Sequence, residues 1–159
     1  MSVNLQLRAV DAATAEQLIA QPGRALSVVA RLRTPSCDLH KAWQAIHFVL
    51  TGTPDAGLAP HCYLLDGGVE LGGDTGYGPP RLLRPDEVRQ FNDVLQPIRR
   101  LSLLRARFDH GAMVGAEVYS MNEDDAEEDL EFTAHYFKEL RRFIKNATDA
   151  GHGAVIYFT

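Results

Sequence analysis

The sequence predicts an α+β fold: a mainly helical single domain over residues 1–159, with a small sheet that includes both the N-terminal and the C-terminal strand. Three observations predict it. Val3, Leu5, Leu7 and Ala9 alternate with Asn4, Gln6 and Arg8, the period-two pattern of a half-buried strand. Ala154-Val155-Ile156-Tyr157-Phe158 closes the chain as a second strand-like run, expected to pair with the first. Between them the apolar residues recur mostly at helical spacing, and helices set between terminal strands are an α+β order.

Each element follows from local chemistry. Asp11 is placed to cap a helix from Ala12 to Gln21, which Pro22-Gly23 ends. Residues 25–32 read as a short helix or turn, broken by Thr34-Pro35-Ser36. Asp38 is a good N-cap for a helix in which Leu39, Ala42, Trp43, Ile46 and Leu50 share a face and Gly52 stands at C′. Residues 53–60, with two prolines and a glycine, read as a loop.

Residues 66–78, DGGVELGGDTGYG, hold six glycines in thirteen positions, which excludes regular helix and suggests short strand pieces joined by positive-φ turns. Pro85 then sits at N1 of a helix with Asp86 and Glu87 in its first turn. Pro97 kinks or restarts that helix, which is expected to run to about Phe108. Residues 109–120 read as a loop and a short strand. A long helix is expected over 123–149, with Lys138, Arg141, Arg142 and Lys145 toward its end. Leu130, Ala134, Phe137, Leu140, Ile144 and Ala147 form a stripe that Phe132, Tyr136 and Phe143 widen, as in a central helix packed on several neighbours.

Composition narrows the function classes. A chain of 159 residues can bury roughly two-thirds of its unfolded surface without staples. A net charge of −5 argues against a sequence-independent nucleic-acid binder, which needs a basic face. Two cysteines make no disulfide framework, and the opening MSVNLQLRAV has no basic segment followed by an apolar run. A cytoplasmic location is therefore expected. No apolar stretch approaches the ~20 residues of a membrane span.

No motif for catalysis, metal or cofactor stands out. The glycine-rich segment lacks the lysine and hydroxyl residue of a phosphate loop, Pro79 and Pro80 cannot donate, and Glu70 and Asp74 would repel an anion. Cys37, His40, His61 and Cys62 are metal-type side chains, but adjacent His61-Cys62 is a poor chelate and no second spaced pair exists. Cys62 reads as a small buried residue. His40 and His47 share a helix face about 10 Å apart, too far for direct cooperation, and His47 reads as a core histidine. Asp109-His110 lacks a nucleophile partner, and Asp109 reads as a turn cap. The run EDDAEEDLE at 123–131 puts seven acids in nine residues. The helix dipole accounts for three or four of them. Repulsion among the rest suggests a basic partner or a cation.

Three segments, DLHKAWQAIHFVLTG at 38–52, LGGDTGYGPPRLLRPDEV at 71–88 and RFDHGAMVGAEVYS at 107–120, resemble the YfbM-like family of uncharacterised bacterial proteins, with the opening strand and helix adding to the match. The resemblance implies a compact α+β domain and a bacterial source, and no activity. Members of that family often carry a proline and a tryptophan after the tyrosine corresponding to Tyr119, where this chain has the polar and acidic Ser120 to Asp125.

Two functional expectations follow. The first is a non-catalytic protein-binding module, for example an immunity-type protein masking a basic toxin or partner, acting through Glu123, Asp124, Asp125, Glu127, Glu128 and Asp129. The second is a small-molecule-binding protein or enzyme whose pocket would gather His47, Asp74, Tyr77, Arg81 and Asp109 if the three segments converge.

Overall fold

The computed structural model describes residues 2–159. Among these residues there are seven α-helices and one five-stranded antiparallel sheet, with 49% of them helical, so the chain is α+β with both terminal strands in the sheet. The order is β1 (Leu5–Val10), α1 (Ala12–Ala20), α2 (Ala25–Arg31), β2 (Ser36–Asp38), α3 (Trp43–Thr51), β3 (Val69–Glu70), β4 (Arg81–Leu83), α4 (Pro85–Leu95), α5 (Leu101–Arg105), α6 (His110–Gly115), α7 (Ala126–Asp149) and β5 (Gly153–Phe158). None of these helices is long and apolar enough to cross a membrane.

The strands lie in the order β2-β1-β5-β4-β3. The two chain ends form the centre, in register from Leu5 opposite Phe158 to Val10 opposite Gly153. Alternation along β1 and β5 sends Leu5, Leu7, Ala9, Ala154 and Ile156 to one face, where they pack with Phe91, Leu95, Phe137, Leu140 and Ile144 from α4 and α7. Val10, Leu82 and Val155 go to the other face and meet Ala15, Leu18, Ala25 and Val29 from α1 and α2. Helices therefore cover the sheet on both sides. That double burial explains why β5 reads as a continuous apolar run, with Ala154, Val155 and Ile156 at most 1% exposed.

Several caps form as the residue types dictate. Asp11 Oδ1 accepts from Thr14 N at 2.8 Å, and Gly52 ends α3 at φ 77° with its N–H on Phe48 O. Glu87 Oε1 accepts from Arg84 N at 3.0 Å, closing the start of α4 behind Pro85. In the glycine-rich stretch Gly68 lies at φ 79°, and a Cβ there would stand 2.4 Å from Leu82 O, so only glycine lets β3 approach β4.

Four expectations are corrected. Asp38 does not cap α3: it ends β2 opposite Gln6, its Oδ1 accepts from His40 N at 2.8 Å, and a 3₁₀ turn over His40–Ala42 precedes the helix. Sheet pairing of Cys37 and Asp38 with β1 outweighs the local cap. Residues 109–120 hold α6 in place of a strand, because Asp109 Oδ1 accepts from Ala112 N at 3.0 Å and starts a helical turn. Of the two outcomes expected at Pro97 the chain takes the restart, α4 stopping at Leu95 and α5 resuming at Leu101, but α5 ends at Arg105, short of the expected Phe108. The long helix begins at Ala126, so Glu123, Asp124 and Asp125 precede it, and its last turn carries no base. Lys145 instead pairs with Asp149 at 2.7 Å, while Arg141 donates to Leu95 O and Gln96 O at the end of α4.

Candidate functional site

The five residues of the pocket expectation lie in different settings. Arg81, in β4, is buried and donates to the carbonyls of Tyr63, Leu64 and Gly67. Asp109 caps α6. Asp74 Oδ1 accepts from Gly76 N at 2.7 Å and Gly78 N at 2.8 Å, which lowers its carboxyl pKa and closes the turn that carries Tyr77. Tyr77 is 49% exposed. None of the five residues lines any of four surface cavities of about 100 to 530 Å³.

His47 is fully buried in α3. Its Nε2 lies 2.8 Å from Ala56 O, and since a carbonyl only accepts, that nitrogen carries the proton. Nδ1 is then an unprotonated buried nitrogen without a partner among the described residues. Burial lowers the pKa of the ring, since the imidazolium would need a second acceptor that the core does not supply. The sign follows directly. In the unfolded chain a histidine takes up its proton near pH 6.5, while the buried ring resists to lower pH. Stability is therefore complete above about pH 6.5 and falls as pH drops toward the folded value, by no more than about 1.4 kcal/mol per pH unit. Urea midpoints at pH 7.5 and 5.5 are expected to show this loss in the native chain and to show less of it in His47→Gln.

The three family-like segments do converge, through aromatic rings. Trp43 lies 5.8 Å from Tyr119 and 5.1 Å from Phe158, and Tyr77 lies 6.5 Å from Phe158, centroid to centroid. Polar bonds lock this cluster to the residues just before β1 and to α3. Trp43 Nε1 donates to Val3 O at 3.0 Å, Tyr119 Oη accepts from Val3 N at 3.1 Å, and Tyr119 N donates to Gln44 Oε1 at 2.7 Å. The helical spacing of Trp43 pointed to a core position, and nothing in a linear reading joins residue 43 to 77, 119 and 158.

Tyr119 also lines a cavity of about 530 Å³ between Val114 and Asp124. Its lining includes the carboxylates of Glu117, Glu123 and Asp124 and no cationic side chain. Glu117 at φ 56° and Ser120 at φ 71° hold this loop in the left-handed region that side chains rarely adopt. The loop is the stretch where Ser120 to Asp125 departs from the family pattern.

The acidic run divides in two. Asp125 caps α7 by accepting from Glu128 N at 3.0 Å, and Glu127 receives both guanidinium nitrogens of Arg105 at 2.8 Å. That fork lowers the pKa of Glu127. Asp129 is buried and accepts from His110 Nε2 at 2.8 Å and Asn122 N at 2.6 Å. The side chains of Glu123, Asp124 and Glu128 are exposed and make no hydrogen bond or ion pair among the described residues.

Fold and site together define a class: an α+β domain whose sheet lies between two helical layers, with a half-exposed aromatic cluster beside an acid-lined cavity. The model of the domain of unknown function DUF1877 matches residues 1–157, and the chain belongs to that family. Among solved structures it is similar to YfbM from Escherichia coli, described as a protein of unknown function. The identity is 20% with 100% of each chain covered, and the TM-score of 0.73 shows a shared fold. No curated protein matches the chain.

Proposed function

We propose that this protein is a non-catalytic binding module that holds a basic protein partner on the face formed by Trp43, Tyr77, Tyr119 and Phe158 and by the acids beside them. The observation that carries this reading is Tyr119, which belongs both to the aromatic cluster and to the cavity bearing Glu117, Glu123 and Asp124. Rigid aromatic rings supply contact area at low entropy cost and are enriched at the centres of protein interfaces. Carboxylates that the fold leaves unpaired steer and orient a basic partner. Among the described residues Glu123, Asp124, Glu128 and Glu131 are the acids of the run without a hydrogen bond or ion pair, whereas Asp125, Glu127 and Asp129 serve the fold. An immunity-type protein masking a basic toxin is one pairing of this chemistry.

The test is affinity capture of the tagged chain from its source cells at low and moderate salt, repeated with two variants. Tyr77→Ser is expected to weaken binding by about 2 kcal/mol, chiefly through faster dissociation. Glu123→Gln with Asp124→Asn is expected to slow association and flatten its salt dependence. All three positions are exposed, so unfolding midpoints should move by no more than about 0.5 kcal/mol. Recovery of one basic protein that both variants lose supports the reading. Equal retention by the native chain and both variants overturns it.

A further inference from the structure

A second cavity, of about 420 Å³, lies on a different face and has the opposite charge. Helix α5 runs antiparallel along α7, with Arg105 at its end against Glu127 and residues 98–101 near Lys138 and Arg141. The groove between them is floored by Ile98, Leu104, Ala134 and Phe137, and Leu101 overhangs it at 46% exposure. Arg99, Arg100, Lys138 and Arg141 line it from both sides, against the single acid Glu131. Among the described residues none of these four cations is in an ion pair. Arg141 bonds only to uncharged oxygens, those of Leu95 and Gln96. Its pKa is lowered by burial first and then by the like charge of Arg99, so the two guanidinium groups repel across the groove. In a chain of net charge −5, four uncompensated cations around one apolar trough make a local site of positive potential.

We propose that this groove binds a single-chain anionic amphiphile, a medium- or long-chain carboxylate whose chain lies on the Ile98–Leu104–Phe137 floor and whose head group is held by Arg99, Arg100 and Lys138. Charge complementarity selects the head group, because the cations surround an apolar floor and lack carboxylate partners. The volume falls within the roughly 300–1,000 Å³ of small-ligand sites. A partner helix is a poorer fit: five-residue α5 gives a wall of about 7.5 Å, less than two turns of any helix laid against it. The apolar floor offers few of the polar contacts that a nucleotide would need.

Titration calorimetry of the full chain with dodecanoate tests this, with dodecyltrimethylammonium and an acidic amphipathic peptide as comparators. Dodecanoate is expected to bind one to one and saturably, at least tenfold tighter than the cationic surfactant. Arg99→Glu with Arg100→Glu should weaken dodecanoate at least tenfold. Ala134→Trp, which fills the groove, should abolish binding with circular dichroism unchanged. If Ala134→Trp does not fold, Leu101→Glu, at an exposed position, should weaken binding at least tenfold in its place. Tyr77→Ser should leave dodecanoate binding unchanged, which separates this site from the aromatic face. Equal affinity for both surfactants, binding that survives both groove variants, or peptide binding in the groove without dodecanoate binding would overturn the proposal.

Discussion

Replacing Arg81 with leucine is expected to lower the unfolding free energy by about 3–5 kcal/mol, enough to unfold a marginal domain at physiological temperature. Arg81 is 8% exposed, and its guanidinium is the donor for three carbonyls in one stretch of chain: Nη1 to Tyr63 O at 3.0 Å and to Gly67 O at 2.9 Å, and Nη2 to Leu64 O. The neighbouring turn bonds go to Leu58, Pro60 and Cys62 carbonyls, so these three oxygens depend on the arginine. Leucine fills part of the space and leaves all three without a donor, at ~1–3 kcal/mol for each unsatisfied buried group before relaxation. Burial pulls the Arg81 pKa down to about 10, so the group is still charged at neutral pH, with Asp66 and Glu70 nearby opposing the fall. Arg81→Lys should recover only part of the loss, because an ammonium cannot present the planar fork. Urea unfolding at pH 7.5 reads the result, and a loss under 1 kcal/mol would mean that residues 63–67 find other donors.

The second large effect is expected at Asp129. Alanine there should cost about 3 kcal/mol, because it strands the His110 ring nitrogen and the Asn122 amide against the first turn of α7. This carboxylate joins three pieces of chain, α6, the loop before α7, and α7 itself. Its loss should therefore also loosen the loop that carries Tyr119, Glu123 and Asp124. Hydrogen exchange is the discriminating measurement: the Asn122 amide should lose protection in Asp129→Ala while the β1 and β5 amides keep theirs at matched stability. Uniform loss of protection would show that Asp129 contributes only to global stability.

These two residues illustrate how function-like signals were distributed along the chain. Arg81 and Asp129 both carried a charge in a suggestive motif, yet each is buried and serves hydrogen bonds that hold the fold. A linear reading assigns charges to partners because it has no access to which backbone groups need a donor or acceptor. Asp109 was legible as a cap, since a capping aspartate acts within four residues of itself. The aromatic face was not legible. Trp43 reads as one more apolar residue on a helix, and Phe158 as the end of a strand, until β1 and β5 pair and bring residue 158 beside residue 43. The cationic groove was equally hidden, because Arg99 and Arg100 are separated by almost forty positions from Lys138 and Arg141.

By itself the sequence determined what depends on a few neighbouring residues. Period-two alternation set the first strand, the broad apolar stripe set α7, Asp11 and Gly52 bounded their helices, and Pro85 started α4. Tertiary structure decided what depends on partners distant in the chain. Pairing with β1 made β2 out of Ser36–Asp38 against the capping preference of Asp38, and the docking of α5 along α7 made one groove from two basic segments. The reason is energetic. A cap or turn contributes about 1 kcal/mol, whereas the pairing of Ser36–Asp38 with β1 gathers several backbone hydrogen bonds and the burial of Cys37 at once, and prevails here.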